Sequence, residues 1–323
     1  MSRLIRSTFR RPLAALAVAA ATLSCGSASA AFSDIYFFGD SLSDTGNIYT
    51  AVGSGYVPPP YYQGRFSDGP VWVETFAAGL GHADAATAST LGGHNFAWGG
   101  ARTVGGSVPS VLAQVGGFTN ALPAVDPNAL YVVVAGGNDM RDARSGDPSN
   151  IGAAATAATD NLKTAIGLLA GKGAKNVLVA NLPDLGATPE AMALGLTVPS
   201  SAATDAFNAA MGGVVSYGQG IGLQMSFFDF AGLAAAVRTD ALTNGGALYG
   251  ITNVTTPCGS FTGSIGISCS VSQFSDALHP SAISHQMMAA TALAAVPEPE
   301  TYGLMALGLG VIAFLARRRR TAP

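Results

Sequence analysis

The sequence predicts an α/β protein in which a parallel sheet is covered by helices on both faces. Apolar runs of strand length alternate along the chain with longer helical stretches, and this alternation is typical of parallel sheets with crossover helices. The helical stretches are rich in alanine and nearly uncharged, which suits close packing. We find no internal repeat and no linker in about 265 residues, so the body is one large domain or two small ones.

The elements follow in a regular order. Strands are expected at 35–38, 95–97, 131–135, 176–180 and 224–228. Helices are expected at 71–80, 150–170, 202–218, 231–240 and 281–295. The first strand is an unbroken apolar run, the second is short and ends at paired glycines, and the third is stronger and ends in Gly-Gly-Asn-Asp. The pattern does not fix the order of the strands in the sheet.

The turn after the first strand contains the first candidate functional residue. Residues 39–42 read Gly-Asp-Ser-Leu and are followed by small polar residues and glycine, as in a strand that enters a tight turn. The backbone of such a turn presents Ser41, and neighbouring N–H groups can face a developing oxyanion. Alternatively, Ser41 is a turn serine that caps the next helix.

A histidine and an aspartate near the C-terminus could activate this serine. The chain has four histidines, and Asp276 precedes His279 by three residues. A carboxylate at this spacing can turn back to accept from the ring N–H, which fixes the tautomer and stabilises the imidazolium. Alternatively, Asp276 is a carboxylate at the start of the next helix, and both descriptions can hold at once.

Two glycine-containing segments follow the second and third expected strands. Residues 95–103 contain Gly99 and Gly100, and residues 131–139 end in Gly-Gly-Asn138-Asp139. Paired glycines let the backbone approach a ligand closely. Asn138 adds an amide donor at a strand end, where open α/β sheets place their sites. Taken singly, each segment is an ordinary strand-to-loop turn.

Together these four segments resemble the GDSL lipase/esterase family, also called SGNH hydrolases, over residues 32–295. The segments 64–74 and 176–186 are similar to its bacterial esterase and phospholipase branch. The resemblance implies a three-layer α/β/α sandwich with a mainly parallel, flavodoxin-like, five-stranded sheet. It also implies a carboxylic ester hydrolase that forms an acyl-enzyme and needs no cofactor or metal.

The resemblance also assigns roles to residues. The nucleophile corresponds to Ser41, the base to His279 and the orienting acid to Asp276. The oxyanion donors correspond to the Ser41 N–H, to Gly100, which has Gly99 as its neighbour, and to Asn138.

The N-terminal residues 1–31 are expected to be a secretory signal peptide. Four arginines precede an apolar run at 13–23, and small residues follow, with cleavage by signal peptidase near Ala30 or Ala31. Leu23-Ser24-Cys25 offers the alternative of a lipid-modified cysteine.

The C-terminal residues 296–323 have a different specialised layout. Pro297-Glu298-Pro299 leads into an apolar stretch at 301–316, closed by four arginines. Sixteen residues are slightly short for a hydrocarbon core of about 30 Å, and the basic tail would stay cytoplasmic. The layout resembles the PEP-CTERM sorting signal of Gram-negative bacteria. That resemblance implies a transient inner-membrane anchor and processing near 297–299 by an exosortase-type protease. The protein would then be on the cell surface or released. A permanent anchor facing the periplasm is the alternative.

The charge of the body excludes some partners. Residues 32–297 contain 17 acidic and 8 basic residues, a net charge of −9, whereas the whole chain has −3. Such an acidic body argues against binding to nucleic acid or to anionic membranes by charge. It is compatible with an exported enzyme that acts on neutral esters or lipids.

The two cysteines of the body are expected to form a disulfide. Cys258 and Cys269 are eleven residues apart in a Gly/Ser/Thr-rich segment, and export places them in an oxidising compartment. The bond would stiffen the loop before Asp276 and His279.

The sequence is compatible with several classes of substrate. Five aromatic residues and three prolines follow the nucleophile turn and either line an acyl cleft or hold a long surface loop down; they are Tyr49, Tyr56, Tyr61, Tyr62 and Phe66, with 58–60. Besides a lipase, esterase or phospholipase, the same residues could serve a polysaccharide O-deacetylase. A surface or matrix protein that kept the fold without turnover is the remaining alternative.

Overall fold

Four parallel strands lie at the centre of the computed structural model, which describes residues 32–53, 55–258 and 266–296. They are β1 (Ile35–Gly39), β2 (Leu130–Val134), β3 (Asn176–Ala180) and β4 (Gln224–Phe228). In the sheet they lie in the order β1-β2-β3-β4. The α/β class and the parallel sheet are therefore confirmed.

The expectation of a fifth strand at 95–97 is corrected here, because the sheet of the described residues has four strands. The segment does run beside β1: Phe37 N donates to His94 O (3.1 Å) and Phe96 N donates to Phe37 O (2.8 Å). On its other side, however, Asn95 O accepts from a turn, through Ser89 N at 2.8 Å, and from the Asn47 amide at 2.7 Å. These turn and side-chain contacts replace a regular ladder. If the segment is numbered as the second strand along the chain, the order across the sheet becomes 2-1-3-4-5, as in flavodoxin-like folds.

Helices and short helical turns connect the strands. The α-helices are α1 (Asn47–Val52), α2 (Trp72–Gly79), α3 (Val111–Asn120), α4 (Gly137–Ala143), α5 (Ile151–Gly171), α6 (Pro189–Ala193), α7 (Thr197–Gly220), α8 (Phe230–Asn244) and α9 (Ala282–Ala295). Five of them, α2, α5, α7, α8 and α9, coincide with the five expected helices. Helix α7 begins five residues before its expected start, because Pro199 lies in its first turn, where proline is tolerated.

The strands are apolar because both faces of the sheet are covered. Neighbouring residues of a strand point to opposite faces. Phe38 packs with α3, α5 and α7 on one face, in a cluster that also holds Tyr131 and Phe207. Phe37 points to the other face and meets the ring of Trp72 edge-on at 6.5 Å. Helices α2 and α9 pack together on that second face.

The ends of the chain lie outside the described residues. These ends include the expected signal peptide at 1–31, the apolar stretch at 301–316 and the basic tail. Within the described ranges, no helix has the length and apolar character needed to cross a bilayer.

Candidate active site

Three side chains from distant parts of the sequence form a hydrogen-bonded series beyond the carboxyl end of β1. The Oγ of Ser41 lies 2.9 Å from Nε2 of His279. The Nδ1 of the same ring lies 2.7 Å from Oδ2 of Asp276. Because a carboxylate can only accept, the ring proton is on Nδ1, and Nε2 is left to accept from the serine hydroxyl. The structure therefore brings together the three residues that the sequence singled out.

Asp276 is held ionised and oriented by a tight turn. One of its oxygens accepts from the backbone N–H groups of Leu278 (2.7 Å) and His279 (2.6 Å). The other oxygen accepts from the Tyr61 hydroxyl as well as from the imidazole. Burial of the carboxyl acts against ionisation, but the charge and hydrogen bonds of His279 outweigh it and hold the pKa of Asp276 well below its usual range. The following helix is capped by Ser281, so Asp276 does not start it.

The nucleophile turn is fixed by buried polar groups. One oxygen of Asp44 accepts from the N–H groups of Gly46 (2.8 Å) and Asn47 (2.6 Å). The Asn47 amide reaches the carbonyls of Asn95 (2.7 Å) and Ala97 (2.8 Å). The Asn95 amide donates back to Ser43 O at 2.6 Å. This closed set locks the serine turn to the segment beside β1.

The same set distinguishes the two glycines of that segment. The N–H of Gly99 donates to Asp44 Oδ2 at 2.8 Å, and a Cβ on Gly99 would meet the Phe66 ring at 2.3 Å. Gly99 is thus a structural residue. Gly100 has φ +79°, a conformation that favours glycine. Among the hydrogen bonds of the described residues, the N–H groups of Gly100 and Ser41 have no acceptor, so both are available to an incoming oxygen.

Asn138 is the third candidate donor and is oriented from both ends of its amide. Its Nδ2 donates to Ala101 O at 2.9 Å, next to Gly100, and its Oδ1 accepts from the guanidinium of Arg141 at 3.3 Å. The neighbouring Asp139 accepts from the backbone N–H of Thr103 at 3.0 Å and from its hydroxyl at 2.7 Å. The two glycine-containing loops are therefore fastened to each other beside the serine.

An ion-pair cluster connects Asn138 to the loop that carries the histidine. Arg141 donates to Glu190 through Nε at 3.0 Å and through a second nitrogen. Arg144 donates to the same carboxylate. The backbone N–H of Glu190 donates to Ala277 O at 2.7 Å, between Asp276 and His279. Helix α6, which carries Glu190, thus bridges the two halves of the site.

A second buried carboxyl lies directly before the nucleophile. Asp40 accepts from Leu42 N at 3.1 Å, and its side chain is almost fully buried. Burial raises the pKa of Asp40 to about 6, although the Leu42 N–H and the nearby His279 act in the opposite direction. This carboxyl can therefore change its charge within the working range of a neutral enzyme.

A cavity of about 280 Å³ opens beside the three side chains. We call it the α8 cavity. Ser41, Asn138 and His279 line it, together with apolar residues from the loop after β3 and from α8 and α9, namely Leu182, Leu185, Phe230, Leu233, Val237 and Met288. The aromatic loop does not line it: Tyr61 bonds to Asp276, and the ring of Phe66 lies 5.0 Å from that of His279.

The two cysteines of the body and two further histidines have structural contacts. Cys258 and Cys269 are joined in a disulfide. His94 pairs with Asp34 at 3.0 Å. His285 is fully buried and accepts from the backbone N–H of Trp72 at 3.2 Å, and burial lowers its pKa to about 3. Neither of these two histidines lines the α8 cavity.

Fold and site together define a class of protein. A parallel α/β sheet with serine, histidine and aspartate bonded in series at its carboxyl edge has the geometry of a serine hydrolase. The chain belongs to the GDSL-like lipase/acylhydrolase family, whose model matches residues 35–292. A second model, the PEP-CTERM protein-sorting motif, matches residues 295–320. That motif indicates export and surface sorting in Gram-negative bacteria.

Curated relatives match parts of the chain. A phosphatidylcholine-sterol acyltransferase from Aeromonas hydrophila is 34% identical over 183 residues, which cover 54% of this chain and 52% of the relative. Lipase 1 from Photorhabdus luminescens is 29% identical over 194 residues, covering 58% of this chain and 28% of the relative. The chain thus spans about half the length, or less, of these relatives.

Solved structures that match the chain are more distant in sequence. A lipolytic protein of the G-D-S-L family from Veillonella parvula is 16% identical, with a TM-score of 0.44; the match covers 81% of this chain and 96% of that one. Est24, a carbohydrate acetylesterase from Sinorhizobium meliloti, is also 16% identical, with a TM-score of 0.42 and coverage of 80% and 96%.

Sequence reasoning did not assign the roles that Tyr61, Arg141 and Glu190 have in the site. The contact of Tyr61 with Asp276 spans 215 positions, and that of Arg141 with Glu190 spans 49. Arg141 follows Asn138 by three residues on α4, the spacing at which helical side chains meet, and this spacing could have pointed to it. No comparable signal marks Tyr61 or Glu190.

Proposed function

We propose that the protein is an exported serine ester hydrolase that acts through an acyl-enzyme on Ser41. The observation that carries the proposal is the series from Ser41 Oγ through His279 to Asp276, with distances of 2.9 and 2.7 Å. Membership of a lipase/acylhydrolase family agrees with it.

In the first half of the reaction, His279 Nε2 takes the hydroxyl proton while Ser41 Oγ forms a bond to the ester carbonyl carbon. The carbonyl electron pair moves to oxygen, and that oxyanion accepts hydrogen bonds from Ser41 N–H, Gly100 N–H and Asn138 Nδ2. Asp276 stabilises the imidazolium formed at His279. The imidazolium then protonates the alcohol oxygen as the carbon–oxygen bond breaks.

In the second half, water replaces the alcohol. His279 takes a proton from this water as it attacks the acyl carbon, and then returns a proton to Ser41 Oγ as the acid leaves. The ionised Asp276, with its lowered pKa, keeps the proton on Nδ1 of His279 throughout, so that Nε2 carries out each transfer.

Hydrolysis of p-nitrophenyl esters by the purified protein and by its Ser41→Ala variant tests the proposal. We expect turnover by the wild type, with kcat lowered by several orders of magnitude in the variant. Equal rates in the two proteins, or no hydrolysis by the wild type of any ester from acetyl to palmitoyl, would overturn it.

We further propose that export removes residues 1–31 and that an exosortase-type protease cuts near 297–299. The sorting motif at 295–320 supports this. Intact-mass measurement of the protein from culture medium and from cell envelope checks both cuts. An envelope protein that keeps residues 301–323 would instead indicate a permanent anchor.

A further inference from the structure

We infer that the α8 cavity receives the aliphatic chain of the ester, and that α8 sets the chain length the protein accepts. This inference rests on the proposed ester hydrolysis, and it separates a chain-bearing, lipid-type ester from an acetylated polysaccharide. The position of the cavity beside Ser41 and His279 is the first argument, because a chain attached to the reacting carbonyl could enter it directly.

The size of the cavity excludes an acetyl group as its natural occupant. Its volume of about 280 Å³ is many times what a single water needs. A methyl group is about the size of one water, so an acetyl ester would leave most of the space without contacts. A chain of several methylenes gains from each additional group that leaves water.

The chemistry of the buried wall also favours an aliphatic chain. Leu182, Leu185, Phe230, Val237 and Met288 are all buried, and all line the cavity. These residues offer an extended apolar surface, and polar side chains that include Asp40, Asn138 and His279 line the cavity with the serine. Ligand pockets of this composition bind apolar groups and use a few polar atoms for orientation.

The charged residues of the lining are hydrogen-bonded or at the surface, and Asp40 is the buried carboxyl among them, accepting from Leu42 N at 3.1 Å. Arg141 is bonded to Glu190, and Arg238 donates to Val254 O at 2.9 Å. Asp184 and Asp205 are exposed, so they lie where the cavity meets solvent. Their negative charge at the mouth disfavours an anionic group there, which agrees with a neutral ester.

Helix α8 supplies the residues at which chain length can be changed. Leu233 and Ala234 lie one turn before Val237 on the same helix, and all three line the cavity. Ala234 is half-buried and has the smallest side chain of the three. A larger side chain at this position takes up space that would hold the distal methylenes. Thr239 is exposed on the same helix, and it is not among the residues lining the α8 cavity.

The test compares p-nitrophenyl acetate, butyrate and octanoate for the wild type, Ala234→Phe and the matched control Thr239→Phe. A buried methylene changes kcat/KM about fourfold, so we expect the wild type to prefer octanoate over acetate by at least about 30-fold. Ala234→Phe should lower that ratio at least tenfold, roughly the loss of two buried methylenes. Thr239→Phe should leave the ratio unchanged.

An aliphatic chain on the alcohol part of the ester would fill the same cavity. Octyl acetate carries its chain on the alcohol, so it distinguishes an alcohol chain from an acyl chain. A preference for octyl over ethyl acetate with a flat p-nitrophenyl series would assign the cavity to the alcohol chain. Flat profiles in both series, with Ser41-dependent hydrolysis intact, would overturn the inference while the proposed function stands.

A binding measurement makes the inference independent of turnover and folding defects. Calorimetry of 1-octanol and 1-butanol with the Ser41→Ala protein should give tighter binding of octanol, and Ala234→Phe in that background should weaken it. Equal binding of the two alcohols would overturn the inference even if no ester is hydrolysed. Thermal unfolding of each variant separates a filled cavity from a disturbed fold.

Discussion

The two sides of Ser41 are built on opposite principles. On one side lie the polar residues Asp44, Asn47, Asn95, Asn138 and Asp139, which we call the polar wall. All are buried except the half-buried Asp139, and Asn138 also lines the α8 cavity. Each of them makes at least two hydrogen bonds to other parts of the chain. The other side is the α8 cavity, where apolar side chains surround open space.

This difference shows where the molecule tolerates change. A buried polar network is stabilising only when every member has its partners, so a single substitution leaves an unpaired group and shifts the geometry. Apolar walls act through shape and area, and their substitutions change which chain fits rather than the reaction. We therefore expect substitutions near the polar wall, or of Ser41, His279 and Asp276, to lower kcat. Substitutions in the α8 cavity should instead change the ratio of kcat/KM between substrates.

The largest effect is expected at the acid that fixes the histidine tautomer. Asp276→Asn replaces an acceptor by an amide that can donate to Nδ1, which places the ring proton on Nε2. We expect kcat to fall by roughly 10³–10⁴-fold, measured on the best ester in steady state. Tyr61→Phe is the control, since it removes one bond to Asp276 and keeps the carboxylate. If Asp276→Asn lost no more activity than Tyr61→Phe, Asp276 would not be the orienting acid.

Next in size is the loss of the proposed side-chain oxyanion donor. Asn138→Ala removes a hydrogen bond that is strongest in the transition state, so we expect kcat to fall by roughly 100-fold or more with little change in KM. Asn161→Ala, which removes an amide bonded to Thr103 at 3.1 Å, is the matched control. Wild-type turnover by Asn138→Ala would exclude Asn138 from the site. It would also contradict the expectation that residues of the polar wall determine kcat.

A smaller, pH-dependent effect is expected at Asp40. Its folded pKa of about 6 lies above the ordinary aspartate value of 3.8, so the folded protein binds this proton more tightly than the unfolded chain does. Stability should therefore rise as the pH falls from about 6 toward 4, and the ionised carboxyl is a cost above pH 6.

Asp40→Asn removes that cost while keeping an acceptor for Leu42 N. We expect it to raise the free energy of unfolding by about 1–3 kcal/mol at pH 8. The gain should disappear near pH 4, as measured by urea unfolding at both values. Asp205→Asn, at an exposed position, is the control. A gain of the same size at both pH values would contradict a raised pKa at Asp40.

The smallest effect is expected at the cluster behind Asn138. Arg141→Ala removes the donor that orients the Asn138 carbonyl and one partner of Glu190, so we expect kcat to fall about tenfold with KM nearly constant. Arg141→Lys should recover part of this loss. Lys163→Ala, which removes an exposed pair with Asp160, should have no effect on kcat. If Arg141→Ala changed only KM, Arg141 would act in substrate binding and not in orienting Asn138.

The sequence predicted best where the signal is local. Ser41 follows β1 directly, and Asp276 and His279 share one turn, so short segments suffice to identify them. Helices α3 and α4 were missed because Gly116 and Gly117 weaken the helical pattern of one, and the other begins at Gly137 in what reads as a loop. The expected fifth strand was wrong because the backbone of Asn95 bonds to a turn and to the Asn47 side chain, contacts that composition does not reveal.

The cavity could not be predicted for a different reason. Its wall combines the loop after β3 with α8 and α9, and none of these segments carries a pattern that separates a cavity-facing apolar residue from an ordinary core residue. The aromatic residues after Ser41 gave a stronger local signal, yet Tyr61 supports Asp276 instead. The packing of the helices determines which apolar residues face a substrate, and this packing depends on the whole chain.

The turn that holds Asp276 and His279 has a consequence for how activity is lost. Because Asp276 binds both the backbone N–H and the ring of His279, acid and base move as one unit. Among the described residues, the direct hydrogen bond between this unit and the serine is the 2.9 Å contact, which spans 238 positions of the chain. Loosening of α9 against the sheet would stretch that contact while the pair itself stayed intact. Turnover is thus an early reporter of unfolding, and it should fail at a lower denaturant concentration than the secondary structure does.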